Sequence, residues 1–333
     1  MTNKIALLSF AIACSFSLAS QAQTAPKPEE RGTLSLVVEN DMFVKTDRDY
    51  TSGVRLGWMT SPQETPAAVL QLARSIPIFA GWGVVRAEYA LQQTIFTPRN
   101  TALVVPDPAD RPYAGWLNAS FGLTGESGPI LDQLSIGLGV IGPASLAREA
   151  QKLVHDVKGQ TSPAGWAFQL HNEPTLQLRY QRSWRAVAAY SFSSGLGVDF
   201  TPHFGGVVGN AYTFANAGAT IRFGQDLQQD YGPPRIGPSV PGSGFFAPSK
   251  KFSWYLFAGV EARAVARNIF LDGNTFESSR RVNKLPFVAD LQAGAAITFD
   301  QLRISYTHIW RTKEFRGQPT NEIFGALSAS LRW

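Results

Sequence analysis

The sequence predicts an all-β fold, a twelve-stranded antiparallel transmembrane β-barrel with a short helix in an outer loop. Three observations carry this expectation. The chain opens on an export signal: Lys4, the apolar stretch Ile5 to Leu18, and the small-x-small site Ser20-Gln21-Ala22. Period-two alternation then recurs to the last residue, and no later segment reaches the ~18 uncharged apolar residues of a membrane helix. Finally, Ile323, Gly325, Leu327, Ala329, Leu331 and Trp333 fall on one face of the last strand and Glu322, Ser328, Ser330 and Arg332 on the other, the pattern of a barrel wall ending at an aromatic girdle. Residues 1–22 are therefore expected as a signal peptide and 23–333 as one outer-membrane barrel domain, without an internal repeat. The lone Cys14 lies in the signal, so disulfides cannot stabilise the exported chain.

Twelve strands are expected near 32–42, 50–60, 84–97, 113–124, 132–141, 173–184, 186–200, 206–224, 251–266, 283–299, 301–312 and 319–333. An even number puts both termini at the periplasmic rim. The connections at 43–49, 98–112, 142–172 and 267–282 then face outside, and those at 61–83 and 225–250 face the periplasm. Residues 66–75 read as a short amphipathic helix, and the Gly- and Pro-rich 225–250 as an irregular loop. In the long outer connection Gly142-Pro143 ends a strand, Ser145 is a capping residue, and Leu146 to His155 form a helix with Gly159 as its stop. Leu146, Ala150, Leu153 and Val154 share one face of that helix.

The net charge of +5 comes from interspersed rather than clustered basic residues, so nucleic acid is not implied. Gly137-Leu138-Gly139-Val140-Ile141-Gly142 matches a dinucleotide fingerprint, but no second parallel strand with an acidic end follows; the glycines read as small inward positions of a wall. His171 flanks a strand start, His203 falls in a tight outer turn, and His308 lies on an apolar face. His155 gains interest because strand counting brings it to the same rim as Asn40, Asp41 and Thr51. Glu39-Asn40-Asp41 and Asp49-Tyr50-Thr51-Ser52-Gly53 load one strand end with acids, an amide and hydroxyls, more than an ordinary hairpin needs. Alternation turns Thr33, Ser35, Val37, Glu39 and Asp41 inward and Asn40 outward.

At these residues the sequence resembles the outer-membrane lipid A 3'-O-deacylases, the LpxR family. The pieces are Val38-Glu39-Asn40-Asp41, Asp49-Tyr50-Thr51-Ser52-Gly53, and Gly139-Val140-Ile141-Gly142-Pro143 leading into the helix with His155. Gly209-Asn210, Gly218-Ala219-Thr220, Phe257-Ala258-Gly259-Val260-Glu261 and Glu314-Phe315-Arg316 follow in order. The resemblance implies a twelve-stranded barrel and calcium-dependent hydrolysis that releases the 3'-linked acyloxyacyl group of lipid A. It implies His155 as catalytic histidine, Asn40 and Asp41 as the Asn-Asp pair, and Thr51 as the hydroxyl residue. Where family members carry a lysine-rich stretch after the third strand, this chain has Arg99, a cation of different geometry.

The residues suggest a matching chemistry. With neither a Gly-x-Ser-x-Gly elbow nor an exported cysteine, His155 is expected as general base on water. Asp41 and Asn40 are the expected ligands of Ca2+, Thr51 would bind the oxyanion, and Arg99 and Ser52 are the expected substrate-binding residues. The expected partners are lipopolysaccharide and the outer membrane around a monomeric barrel. Two rival expectations are a passive pore and a barrel phospholipase using an outward Ser52.

Overall fold

A computed structural model describes residues 31–41, 49–77, 83–236 and 244–333, with side chains of the second segment described from Ser52 onward. The signal segment and the turn at 43–49, apart from Asp49, lie outside the described residues.

The wall is built from β1 (Thr33–Asn40), β2 (Asp49–Met59), β3 (Val84–Thr97), β4 (Ala114–Ser127), β5 (Ile130–Ile141) and β6 (Glu173–Trp184), and from β8 (Gly197–Gly209), β9 (Tyr212–Gly224), β10 (Phe252–Asn268), β11 (Phe287–Phe299), β12 (Leu302–Arg311) and β13 (Glu322–Arg332). Each pairs antiparallel with its chain neighbours; β1 pairs with β13, and β6 pairs with β8, which closes the ring at twelve strands. The short β7 (Ala188–Ser191) pairs with the start of β8 alone and stands outside the ring. Closure pairs both edges of each ring strand and removes the edges that lipid could not hydrate.

Alternation sorts the side chains as a membrane wall requires. Leu36, Leu56, Leu91, Leu138 and Leu178 are exposed on the outside, whereas Thr33, Ser35, Glu39, Thr94, Thr124 and Arg303 are buried in the lumen. The lumen is crossed by ion pairs: Arg222 with Asp199 at 2.6 Å, Arg263 with Asp290 at 2.7 Å, Arg311 with Asp290 at 2.9 Å, and Arg111 with Glu322 at 3.0 Å.

Two strand expectations need correction. Residues 186–200 are not one strand but β7, a turn through Gly195 (φ 80°) and the start of β8; residues 206–224 straddle the turn between β8 and β9. Gly205, expected in the turn between these strands, and Gly206, expected to open the second, both lie inside β8. A Cβ on Gly205 would stand 2.5 Å from the Tyr180 carbonyl, and one on Gly206 2.9 Å from that of Phe214, so they serve close strand approach. His203 is consequently a buried lumen residue 3.4 Å from Glu261, not part of a turn.

The connection from β9 to β10 is also more than an irregular loop. Its neck is tied by Asp226, whose carboxylate accepts hydrogen bonds from the backbone N and Oγ of Ser249 at 2.8 and 2.5 Å. Beyond the neck the chain turns into the lumen. Asp230 accepts from Arg222 (2.7 Å) and Tyr255 (2.9 Å) and pairs with Arg303; Arg86 lies 4.2 Å over Phe245. Arg235 Nε donates to Glu39 Oε1 at 2.5 Å, and the Ile236 N–H donates to the same oxygen at 3.0 Å. Glu39 is six residues along β1 from Thr33, roughly 20 Å at the usual rise per residue, so this plug reaches most of the way to the outer rim. Its charged residues enter because the lumen holds their counter-charges.

The first helix, α1 (Ala67–Ser75), forms where expected, between β2 and β3. The second, α2 (Ala147–Lys158), follows a tight turn after β5 and ends at Gly159 in the left-handed conformation. Its first residue is preceded by Leu146 rather than capped by Ser145, whose Oγ donates to the Gly142 carbonyl at 2.6 Å.

Candidate active site

α2 lies against the outside of the wall at the outer rim. Gly115 at the start of β4 makes this approach possible: a Cβ there would fall 2.1 Å from Ala147 Cβ and 2.2 Å from Ser145 Oγ. Gln93 Nε2 donates to the Ser145 carbonyl at 2.6 Å, and Ile95, Tyr113, Ala147 and Trp166 form one buried cluster with Ala150 beside it. Trp166 Nε1 donates to Gln151 Oε1 at 2.8 Å. The helix thus buries Ala147, Gln151 and His155, one residue every four. Leu146, Leu153 and Val154 remain exposed, as does Val157. An apolar stripe that would face a core in a soluble protein here faces the lipid side.

His155 is 6 % exposed. Its Nδ1 lies 2.8 Å from the Thr161 carbonyl oxygen. A carbonyl only accepts, so Nδ1 is the donor, and the neutral ring in this orientation presents its lone pair on Nε2.

Strand register carries the other residues toward this helix. Asn40 pairs with Ser52, Ser52 with Ile95, and Ile95 with Gly115, forming one row across β1 to β4. Directly opposed residues share a face, so the amide of Asn40 and the hydroxyl of Ser52 look outward on the face that α2 covers. At ~4.8 Å per strand, Ser52 stands one strand and Asn40 two strands from Ile95 beneath the helix. The register between β2 and β3 slips between Tyr50 and Ser52, which makes Thr51 a bulge residue; such irregularities re-aim side chains at rims and sites.

Asp41 behaves differently. It follows β1 in a helical turn and is 1 % exposed, continuing the inward series Glu39 and Val37. The structure therefore groups Asn40, Ser52 and the helix of His155 on one face and sets the carboxylate of Asp41 in the rim behind them. Arg99 lies in the exposed loop after β3, where its backbone N–H donates to Asp110 Oδ2 at 2.8 Å. Among the described residues no group of three or more His, Cys, Asp or Glu is close enough to hold a metal. A buried carboxylate and an adjacent amide nonetheless suit a hard cation, which completes its shell with carbonyl, hydroxyl and water oxygens.

Below the row a second layer fixes the rim. Arg111, fully buried, donates to Glu322 at 3.0 Å and Glu314 at 3.3 Å, and sits 5.1 Å over the Phe96 ring. Burial alone would raise the Glu314 carboxyl, but Arg111 and Arg311 outweigh it and hold the group below the usual carboxylate range. Arg235 and Ile236 of the plug grip Glu39, the neighbour of Asn40. Sequence reasoning missed these supports because each joins segments far apart in the chain; it missed the Thr161 carbonyl, only six residues from His155, because the chain's return after the left-handed Gly159 brings it there. Gly115 left a faint local signal, a small residue in Tyr113-Ala114-Gly115-Trp116.

Comparison with known proteins agrees with this architecture. The family model of outer membrane protein LpxR matches residues 7–333. The solved structure of LpxR from Salmonella typhimurium superposes with a TM-score of 0.74 at 22% identity, covering 90% of this chain and 99% of that one. The β domain of the Bordetella autotransporter BrkA is more remote, with a TM-score of 0.44 at 9% identity over 91% of this chain and 98% of that one. No curated protein matches. The match along nearly the whole sequence, on a closed twelve-stranded wall, makes this chain an outer membrane protein that belongs to the LpxR family.

Proposed function

We propose that this protein is a lipid A 3'-O-deacylase, hydrolysing the ester that links the 3'-acyloxyacyl group of lipopolysaccharide in the outer leaflet. The observation that carries this reading is a buried imidazole held on a helix outside the wall, on the face that also bears Asn40 and Ser52. A soluble substrate would not need a base there; an acyl chain in the leaflet would.

In this reading Nε2 of His155 takes a proton from the attacking water, and the Thr161 carbonyl holds the ring and steadies the imidazolium. Thr51 and the Asn40 amide donate to the developing oxyanion. Asp41 and Asn40 would hold Ca2+, which supplies Lewis-acid polarisation of the ester carbonyl when bound. Ser52 and Arg99 orient the glucosamine and its anionic groups. The exposed Leu153, Val154 and Val157 of α2 give acyl chains an apolar bank. A passive pore fits less well, because the plug and its ion pairs cross the lumen.

The test is mass spectrometry of lipid A from cells carrying the protein or its His155→Ala variant. The wild type should remove the 3'-acyloxyacyl group, and the variant should lose at least ~100-fold of that activity while assembling normally. Near-normal trimming by the variant would refute the base; phospholipid turnover with intact lipid A would favour a phospholipase.

A further inference from the structure

We infer that the lumen holds a small-anion site at Arg179, separate from the hydrolytic face. The lumen contains a chamber of about 140 Å³ lined by Arg179, Asn118, Gln177, Gln181 and the Arg55–Glu88 pair, far above the ~10–15 Å³ that one water needs. Small residues make the room. A Cβ on Gly137 would stand 2.9 Å from Asn118 Oδ1, so the missing side chain leaves space for that amide, and a Cβ on Gly122 would meet nothing closer than 3.4 Å.

The charges inside are not balanced locally. Eight other arginines of the wall and plug have a carboxylate: Arg55 has Glu88, Arg86 Glu126, Arg182 Asp132, Arg222 and Arg303 Asp230, Arg235 Glu39, and Arg263 and Arg311 Asp290. Arg179, in the middle of β6, has no hydrogen-bond or ion-pair partner among the described residues. The carboxylates that feel its charge, Glu261 and Glu88, are engaged already: Glu261 accepts from Asn216 and Arg263, and Glu88 from Arg55 at 2.5 Å. An uncompensated guanidinium inside a barrel is costly, and a bound anion removes that cost.

The surrounding amides are also unsatisfied. Asn118 Oδ1, Gln177 Oε1 and Gln181 Nε2 are buried without a hydrogen-bond partner, and their residues are 8 %, 6 % and 2 % exposed. Gln177 and Gln181 flank Arg179 on the same inward face of β6. A guanidinium fork with an amide on each side can donate from three directions to one small anion, and the amide oxygens can take hydrogen bonds from its waters. A halide or an oxyanion no larger than phosphate fits the chamber.

The probe is bromide. Crystals of the full-length exported protein grown in gluconate and soaked in sodium bromide should show an anomalous peak within hydrogen-bond range of the Arg179 guanidinium. In detergent at constant ionic strength, replacing gluconate by bromide or by phosphate should raise the unfolding temperature saturably. Arg179→Gln should weaken that response roughly tenfold or more. A response to phosphate alone would restrict the site to oxyanions, with the peak then sought by a phosphate analogue such as arsenate. No peak at Arg179 with either probe, or an unchanged response in Arg179→Gln, overturns the proposal. Should the variant fail to assemble, the wild-type diffraction experiment decides.

Discussion

Adding one methyl group at Gly115 should cripple hydrolysis without harming the barrel. The Cβ of Gly115→Ala would lie 2.1 Å from Ala147 Cβ. Carbons in contact rest at about 3.5–4.0 Å, so the start of α2 must retreat by roughly 1.5 Å. Neither side can yield by rotation: one atom belongs to a wall strand, and the other is fixed to the helix backbone, whose Ala147 Cα would be 3.4 Å away. His155 rides on the same helix, two turns on. A displacement of about 1 Å at a reacting group costs on the order of 100-fold in rate. The assay is the rate of 3'-acyloxyacyl release from lipid A, followed by mass spectrometry, beside heat-modifiable migration on gels as a measure of assembly. Gly122→Ala, on the same strand with no neighbour closer than 3.4 Å, is the control and should remain active. A fully active, normally assembled Gly115→Ala protein would show that the seat of α2 on the wall does not position the imidazole.

Other consequences can be checked independently. Arg235→Ala leaves Glu39 buried without its guanidinium and should cost about 3–5 kcal/mol of stability, read from urea unfolding; an unchanged midpoint would remove the plug from the account. Glu314 is held below the ordinary carboxylate range in the folded protein, so its stabilising contribution is complete above the unfolded value near pH ~4.3 and disappears as pH falls through the lower folded value. Urea resistance should thus drop as the pH falls below about 4, and less so in Glu314→Gln; equal profiles would contradict this. Chelation of divalent ions should abolish deacylation and leave assembly intact, with calcium restoring activity better than magnesium; activity undiminished by chelator would exclude the Asn40–Asp41 cation site.

Much of the wall was legible because its rule is local. Alternation gave the facing of β1 residue by residue, including Asn40 outward and Glu39 inward, and the terminal strand likewise. The helix at 147–158 was legible from Gly142-Pro143 and Gly159, residues that act on their own backbone. The strand boundaries near 200–212 were not, since Gly205 and Gly206 sit in β8 through close approach to Tyr180 and Phe214, and Tyr180 is supplied by a strand some 25 residues earlier. The plug was hidden for a similar reason. Its Pro and Gly residues deny it regular structure, while the partners that draw Arg235 and Asp230 inward, Glu39 and Arg303, are supplied by other strands. The outward apolar stripe of α2 is visible in the sequence, but which side of the wall it faces depends on the close approach at Gly115.

The most direct measurement is made on purified protein in micelles with lipid A of known acylation, in the presence of calcium. The account requires the mass of one 3'-acyloxyacyl group to be lost and the free acyloxyacyl acid to appear in equal amount, with His155→Ala giving neither. Unaltered lipid A under these conditions, or acyl loss that persists in His155→Ala, would contradict it.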